Sequence, residues 1–400
     1  MSTRRTPLSP ARAGTFVPQA DGPGGYSTFV PSRLPPDPPL VIDPLLQDLL
    51  DQANQALGRL DGVTLLLPDP DQFLYAYIRK EAVLSSQIEG TQSSLSDLLL
   101  FEHSATRAVA SEDVQETANY LLAMNHAIAE MAAGRPLCLS LVKEVHALLL
   151  RGSRGGATGP GEFRRVQNWL GGTGPSDPRF VPPPPQEVPA AMGHLEKFLH
   201  DEPVRTPILL KAALAHAQFE TIHPFLDGNG RAGRLLITML LCAEPEPPHR
   251  KVLSRPLLYL SLYLKRNRDA YYDHLQRIRT DGAWEQWLHF FLNGVIEVAG
   301  LATETTGQIV RMIETDRHRI HALGRAAGSA QQVHDLLARE VVVTIPQAAR
   351  DLPLTEPTAS SAIGNLEKLG MVRELTGRSR GRIYAYDRYL ALLNEGTERV

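Results

Sequence analysis

Residues able to do chemistry are concentrated in the stretch HPFLDGNG (223–230), which separates two segments with the periodicity of amphipathic helices. Pro224 disfavours the helical conformation at the residue before it, so we expect the first helix to end at His223. Gly228 and Gly230 allow backbone angles that side chains exclude, and they leave their amides accessible. Successive amides that open into a helix N-terminus form a concave site for an anion, with phosphate as the obvious guest.

The charged residues around this turn fit a polyphosphate. Arg231 and Arg234 are one helical turn apart where the second helix begins, so both guanidinium groups could reach one anion, which would also offset their conflict with the helix dipole. Asp227 suits a magnesium ion, which takes one or two protein carboxylates and completes its shell with phosphate oxygens and water. His223 titrates near neutral pH and could accept a proton from an incoming hydroxyl.

One carboxylate stands alone in the stretch SSQIEGT (85–91). The apolar spacing through Tyr77, Leu84 and Ile88 predicts a helix, and Gly90 easily takes the left-handed conformation that closes one. Glu89 would then lie at a helix C-terminus, the less favourable end for a negative charge, and would need a cation from elsewhere in the fold. By itself, the pattern is more typical of a carboxylate that is simply solvated.

Length and composition indicate an ordinary globular chain. With 400 residues, of which 43% are hydrophobic and 21% charged, the sequence suggests two or three domains with a real core. A net charge of −3 excludes a global basic field that would bind nucleic acid or anionic membranes, so such contacts must be local. Cys138 and Cys242 are the only cysteines, which argues against a disulfide framework and a structural zinc site.

The N-terminal region shows no targeting signal. MSTRRTPLSPARAGTF lacks the apolar core of a signal peptide, and no apolar run reaches the roughly 18 residues of a membrane span. We therefore expect a cytoplasmic protein that does not contact membranes. Residues 1–40 are rich in Pro, Gly, Ser and Thr, a composition that favours a disordered tail.

From there to residue 325, most of the sequence has helical periodicity, which predicts a mainly α fold. The exception is EFRRVQNWLGGTGPSDPRFVPPPP (162–185), where two apolar runs flank a Gly- and Pro-rich loop, as in a β-hairpin with a long tip. Near the C-terminus we predict a helix, a short strand, two helices, and two strands joined by an Arg-rich tip. This order is typical of a winged helix-turn-helix domain.

Taken singly, a histidine before proline is more often structural, and DGNG is most often a turn. The whole run HPFLDGNGRAGR (223–234), however, matches the Fic family motif HPFx(D/E)GNGRxxR at all nine specified positions. The chain thus resembles a Fic protein, and the resemblance implies an all-helical core with a β-hairpin flap, followed by a winged helix. On this basis we expect a disordered tail (1–40), an N-terminal helical region with the inhibitory helix (41–105), the Fic catalytic core (106–300), a helical linker (301–328) and a winged-helix domain (329–395).

Fic proteins of this kind transfer the AMP part of ATP to a Ser, Thr or Tyr hydroxyl of a target protein and release pyrophosphate. By resemblance, His223 is the general base and Asp227 the magnesium ligand. The other motif residues would bind ATP: Asn229 and the amides of Gly228 and Gly230 would hold the α- and β-phosphates, Arg231 the phosphate chain, and Arg234 the γ-phosphate.

Two further regions gain a role from the resemblance. The hairpin at 162–185 is similar to the family's flap, which offers a strand edge to an extended segment of the target protein. Tyr271 and Tyr272 lie in a region that in relatives helps to wall the adenine site, although adjacent tyrosines in an amphipathic helix are as readily core and surface residues.

The stretch SSQIEG fits the pattern (S/T)xxxE(G/N) of Fic proteins that have an N-terminal regulatory helix. The resemblance implies that Glu89 pairs with Arg234 in a strong charge-assisted contact. While this contact persists, the guanidinium group cannot receive the γ-phosphate, so the transferase would be autoinhibited.

The sequence leaves several alternatives open. The same site could remove AMP, with Glu89 orienting a water, or use a nucleotide donor other than ATP, because a phosphate cradle does not read the base. A different class is a DNA-binding regulator: residues 329–400 hold 9 basic and 9 acidic residues, but RELTGRSRGR at the predicted wing holds four Arg against one Glu. Otherwise this domain would recruit protein targets. Relatives often form homodimers that tune inhibition, and self-modification is compatible with the same site.

Overall fold

The computed structural model describes residues 9–19, 26–65, 70–103, 111–153, 159–172, 177–201, 205–243 and 252–398. The chain forms two compact units. The first comprises residues 1–58, 119–254 and 263–297, and the second comprises residues 59–118, 255–262 and 298–400.

Helices dominate the described residues, which confirms the prediction of a mainly α fold. They are α1 (Pro44–Leu65), α2 (Pro70–Ile88), α3 (Leu95–His103), α4 (Glu112–Ala132), α5 (Leu139–Leu149), α6 (Val188–Leu199), α7 (Ile208–Ile222), α8 (Asn229–Cys242), α9 (Ser261–Arg266), α10 (Arg268–Asp281), α11 (Trp284–His321), α12 (Ala327–Glu340), α13 (Ile345–Asp351), α14 (Glu356–Lys368) and α15 (Asp387–Asn394). Within the described ranges, none of these helices combines the length and the apolar character needed to cross a membrane.

Short strands form two small sheets. Strands β1 (Gly14–Gln19) and β2 (Tyr26–Pro31) pair antiparallel, with Phe16 opposite Phe29. Strands β3 (Val342–Thr344), β4 (Val372–Glu374) and β5 (Ile383–Tyr386) form the second sheet, which is antiparallel in the order β3-β5-β4.

Helices α7 and α8 form the centre of the first unit, and the turn between them contains the motif. Every residue of α7 from Leu209 to Ile222 is buried, as expected for a helix that is largely apolar on all sides. Helix α8 comes closest at Gly233, where an added β-carbon would lie 2.5 Å from Oε1 of Glu220. The two helices therefore leave the connecting turn little freedom.

The N-terminal region is folded where the structure describes it, so the prediction of a disordered tail over residues 1–40 is wrong for residues 9–19 and 26–40. Arg12 is buried and makes a two-point ion pair with Glu285, with Nη2 and Nη1 at 2.9 and 3.1 Å from the two carboxylate oxygens. A bidentate pair of this kind fixes both side chains in one geometry.

Strand β2 adds an apolar anchor to this ion pair. Phe29 is fully buried and contacts the rings of Phe16 and Phe180. The composition of residues 1–40 did not indicate folded structure, because the segment is held by a few side chains with distant partners while its average hydrophobicity is low. Residues 1–8 and 20–25 of the predicted tail lie outside the described residues.

The predicted hairpin at 162–185, here called the hairpin segment, pairs through one antiparallel bridge between Leu170 and Phe180. We call residues 162–170 its first limb and residues 180–185 its second limb. The main-chain N–H of Phe29 donates to the carbonyl of Val181 (2.9 Å), so β2 supports the second limb. Part of the predicted tip, residues 173–176, lies outside the described residues.

In the second unit, helix α2 packs against α12 and α15. Tyr77, Leu84 and Ile88 are buried, as the predicted helical spacing requires. Near the end of α2, Gln87 donates from Nε2 to the carbonyl of Thr397 (3.0 Å). The end of α2 is therefore built into the same core as the C-terminal helices.

Residues 327–386 contain the predicted order of helix, strand, two helices and two strands, as α12, β3, α13, α14, β4 and β5. Thr344 begins α13 and Thr355 begins α14, each by accepting a main-chain N–H from the first turn of its helix. The sheet order β3-β5-β4 places the last strand between the other two.

We predict that Arg12→Met lowers the free energy of unfolding by about 3 kcal/mol, because removing one partner of a buried ion pair leaves the other charge without a counter-charge. Arg33→Met, a change at an exposed arginine of the same segment, should have little effect. Urea unfolding of both variants measures the difference. Equal stability of the two would mean that the N-terminal strands are only loosely attached.

Candidate active site

The turn between α7 and α8 has the two ends that the sequence predicts. His223 directly follows α7 with φ 50° and ψ 60°, a left-handed conformation, and its N–H still donates to the carbonyl of Phe219 (2.9 Å). Gly228 precedes α8 with φ 73°, where a side chain would press against Leu150 and His146. Helix α8 begins at Asn229, two residues before the expected start, so Gly230 belongs to its first turn and needs no unusual angles.

Groups from the hairpin segment and from α5 bind the carbonyl oxygens of this turn. The main-chain N–H of Arg164 donates to the carbonyl of Pro224 (2.9 Å), and Nε2 of His146 donates to that of Asp227 (2.8 Å). Because the carbonyl and N–H of a peptide point in opposite directions, the Gly228 amide is turned away from His146. It donates instead to Oδ1 of Asp227 (2.7 Å).

His146 has both ring nitrogens engaged. The N–H of Gly161 donates to Nδ1 (2.9 Å), so Nε2 carries the proton that bonds the carbonyl of Asp227. The ring stacks on Phe225 with centroids 3.6 Å apart. Burial lowers the pKa of His146 to about 4, which keeps the imidazole neutral at neutral pH. Sequence reasoning missed this residue, since a lone histidine in the apolar run LVKEVHALLL suggests only a core position.

Asn229 has a role that the sequence did not indicate. Its Oδ1 accepts the N–H of Phe225 (2.9 Å), and its Nδ2 donates to the carbonyl of the same residue (2.8 Å). The side chain is buried and committed to the shape of the turn. These two bonds do not use the full hydrogen-bonding capacity of an amide, so the contact of this side chain with phosphate, which the resemblance implied, stays a prediction.

The imidazole of His223 is held neutral. It is half-buried, and burial lowers its pKa to about 3, with further lowering by the nearby guanidinium groups of Arg279 and Arg164. A neutral imidazole can accept a proton. An anion bound nearby would offset the two positive charges and raise this pKa, which strengthens the base when a polyphosphate is present.

Besides Arg12, four arginines are buried among the described residues of this unit. Two of them, Arg231 and Arg234, lie in the first two turns of α8, where the sequence places them. The other two, Arg164 and Arg279, were missed because they are distant from the motif in sequence. Arg279 of α10 donates to the carbonyl of Glu220 (3.2 Å), and its guanidinium carbon lies 3.8 Å from the ring centroid of Phe180. So much buried positive charge favours a polyanionic ligand.

Asp227 meets the requirements for a magnesium ligand. Its side chain is exposed beside the start of α8, and the Gly228 N–H orients one carboxylate oxygen. Hard carboxylate oxygens suit Mg²⁺. Among the described residues there is no cluster of three or more His, Cys, Asp or Glu side chains that could hold a metal alone. A metal at Asp227 would therefore take its remaining ligands from phosphate and water.

The two tyrosines predicted for an adenine wall have different environments. Tyr271 is 1% exposed and its hydroxyl bonds Nε2 of His216 in α7 (2.8 Å), so it is a core residue and cannot contact a ligand directly. The physical reason is the position on α10, which turns this side chain towards α7. Tyr272 is half-buried, with the guanidinium carbon of Arg268 5.5 Å from its ring centroid, and stays a candidate.

Glu89 belongs to the second unit and lies at a helix end, as predicted. Helix α2 ends at Ile88, and Gly90 has φ 96°. Residues Ser85–Ile88 are buried while Glu89 is exposed, so a fixed segment presents the carboxylate at its tip.

Comparisons with known proteins match the region that contains this turn. Residues 47–129 match the Fic/DOC family N-terminal model, and residues 136–241 match the Fic/DOC family model. Two relatives, both named protein adenylyltransferase Fic, are 30% identical over 234 residues (Aedes aegypti) and 31% identical over 190 residues (Culex quinquefasciatus). These matches cover 57% and 44% of this chain but 42% and 33% of the relatives, so the chain spans less than half of their length.

A solved structure extends the likeness to most of the chain. It is the crystal structure of a Fic family protein from Desulfovibrio desulfuricans G20, with a TM-score of 0.54 and 20% sequence identity. The match covers 87% of this chain and 97% of that one, and at this identity it shows a shared fold. With its two matched regions, its nine motif positions and this fold, the chain carries Fic/DOC family domains over residues 47–129 and 136–241.

Proposed function

We propose that this protein transfers AMP from ATP to a Ser, Thr or Tyr hydroxyl of a target protein, with release of pyrophosphate. The observation that carries the proposal is the turn between α7 and α8, where the neutral imidazole of His223 stands just ahead of a helix N-terminus with Arg231 and Arg234. Removing the hydroxyl proton needs the imidazole, and binding a triphosphate needs the helix N-terminus and the arginines. The name of the two insect relatives supports the same reaction.

Each motif residue has a defined task in this proposal. His223 accepts the proton as the hydroxyl attacks the α-phosphate. The amide of Gly230 binds the phosphate chain, and the amide of Gly228 joins it once its bond to Asp227 is released. The two arginines, Arg231 and Arg234, compensate the charge that grows on the leaving pyrophosphate. Asp227 would hold Mg²⁺, which neutralises phosphate charge when bound. No covalent enzyme intermediate is needed.

The hairpin segment is proposed to dock the target as an added strand. Its second limb has little edge to offer, because Phe180 pairs with Leu170 and the carbonyl of Val181 accepts the N–H of Phe29. On the first limb, Val166 is 57% exposed. A target strand would therefore pair with the first limb.

We predict that His223→Ala reduces AMP incorporation roughly 10²- to 10⁴-fold, the usual contribution of a general base. ATP affinity, measured by calorimetry, should change little because the phosphate cradle is intact. Label from α-labelled but not γ-labelled ATP in the chain itself reports the reaction, with His200→Ala, at an exposed histidine, as control. Undiminished transfer in His223→Ala would remove this residue from the mechanism. Label from neither position in both the wild type and Glu89→Gly would favour AMP removal or another nucleotide donor.

We propose further that Glu89 restrains the activity by keeping Arg234 from the γ-phosphate. The buried residues before Glu89 and the left-handed Gly90 after it support this role, since they hold the carboxylate at a defined point. Tyr272 is proposed to contact the adenine, and Tyr271 to support it from the core, with ring centroids 5.0 Å apart.

Glu89→Gly and Glu89→Gln are both expected to raise self-incorporation of AMP about tenfold or more, because each removes a charge-assisted contact. Glu112→Gln, at an exposed carboxylate of the same unit, serves as the matched control. Initial rates with α-labelled ATP measure the effect. An unchanged or lower rate in both Glu89 variants would contradict the inhibitory role.

A second candidate activity rests on residues 327–386, which we propose form a winged helix that binds DNA. Three exposed arginines, Arg378, Arg380 and Arg382, lie between strands β4 and β5, and Arg373 nearby is ion-paired with Asp387. The exposed residues in the first half of α14 include the small Thr358, Ser360 and Ser361, which allow entry into a groove, while Glu356 and Glu367 on the same helix are acidic.

If the wing contacts DNA phosphates, Arg380→Gln should reduce the slope of log Kd against log salt by ~1, the value for one phosphate contact. Arg339→Gln, at an exposed arginine of α12, should leave the slope unchanged. Fluorescence anisotropy with the full chain and a duplex measures both. The absence of salt-dependent binding by the wild type would favour a role of this region in recruiting protein targets.

A further inference from the structure

Arg164, in the first limb of the hairpin segment, is almost fully buried. Within the described residues its side chain donates four hydrogen bonds, and all four acceptors are main-chain carbonyls: those of His223 (2.9 Å, from Nε), Val166 (3.3 Å, from Nη1), Ile222 (3.5 Å, from Nη2) and Pro183 (from Nη2). A buried charge of this kind is usually paired with a carboxylate, because it has lost its hydration. Here main-chain oxygens of two separate segments replace the carboxylate.

Two of these carbonyls control the conformation of His223. The carbonyl of Ile222 belongs to the peptide before the α-carbon of His223, and the carbonyl of His223 belongs to the peptide after it. Since peptides are planar, fixing the orientation of both sets φ and ψ of the residue between them. The values at His223, 50° and 60°, lie in a region that residues with a side chain rarely adopt. Arg164 thus offsets the strain of this conformation.

The other two carbonyls belong to the two limbs of the hairpin segment. Val166 lies in the first limb, whose exposed edge is proposed to dock the target, and Pro183 lies in the second limb. One rigid, planar guanidinium group therefore contacts both limbs and the main chain of His223 at once. The distances between the two limbs and the main chain of His223 are therefore set by the size of the Arg164 side chain.

We infer that Arg164 is a positioning residue for AMP transfer: it holds His223 in its left-handed conformation and fixes the distance between the docked hydroxyl and the imidazole that accepts its proton. This inference rests on the function proposed above. It assigns no contact with ATP to Arg164, because all of its side-chain bonds in the described structure go to protein carbonyls.

The test uses Arg164→Gln and Arg164→Lys in the full chain, with Arg33→Gln, at an exposed arginine outside the hairpin segment, as matched control. Self-incorporation of AMP from α-labelled ATP gives the maximal rate and the ATP concentration for half-maximal rate, in the more active of the wild-type and Glu89→Gly backgrounds. Arg164→Gln is expected to lower the maximal rate roughly 10- to 100-fold while the half-maximal ATP concentration stays within about threefold. Arg164→Lys, which keeps the positive charge but can donate fewer hydrogen bonds, should give an intermediate rate, and Arg33→Gln should match the parent.

A maximal rate in Arg164→Gln equal to the parent would overturn the inference. So would a parallel loss of ATP affinity and thermal stability in both Arg164 variants, which is the signature of a packing role alone. If the parent itself transfers no AMP, the proposed function fails, and a crystal structure of Arg164→Gln decides the inference independently. His223 released from its left-handed conformation supports the positioning role, and His223 unchanged at φ near 50° contradicts it.

Discussion

Helix α7 is buried along almost its whole length, and α8 approaches it so closely at Gly233 that an added β-carbon would reach the carboxylate of Glu220. Two helices at this distance can be joined only by a chain that reverses abruptly. The reversal uses left-handed conformations at His223 and Gly228, one at each end of the turn. Helix packing therefore orients the imidazole and the first amides of α8 before any ligand arrives, and preorganised groups of this kind need no rearrangement during a reaction.

Buried arginines influence both the imidazole that accepts the proton and the site that binds the anion. Burial lowers the pKa of Arg164 and of Arg279 to about 10 each, yet both stay protonated at neutral pH. Arg164 and Arg279 bond main-chain oxygens and a threonine hydroxyl, and Arg279 also lies near an aromatic ring and the Glu220 carboxylate. Both guanidinium groups still exert a positive field at His223 and lower its pKa. This field disfavours protonation of His223 and favours an anion beside it. Proton affinity at the base thus depends on whether the anion site is filled.

The sequence predicts those structural features that are determined by residues close together in the chain, such as helix ends and turns. Pro224 ends α7, Gly90 follows the end of α2, and the glycine-rich start of α8 is recognisable because each effect acts over a few residues. The order of strands and helices after residue 326 follows from the same local signals.

The other features of the site depend on contacts between distant residues, which leave no pattern in the sequence. Arg164 and His146 act on main-chain carbonyls, which every residue has, so no partner residue type identifies them. The bonds by which Asn229 shapes the turn go to the main chain of Phe225, so they too leave no pattern in the sequence. Tyr271 and Tyr272 are adjacent, and only the neighbouring helix determines which of them faces the core.

The ion pair between Arg12 and Glu285 joins residues 273 positions apart. A chain synthesised from its N-terminus makes β1 and β2 first, but Arg12 finds its carboxylate partner only after the beginning of α11 exists. Contacts of such long range close late in folding, because the loop between them must be ordered first. The ion pair that holds the segment before β1 therefore forms only when nearly three quarters of the chain has been made.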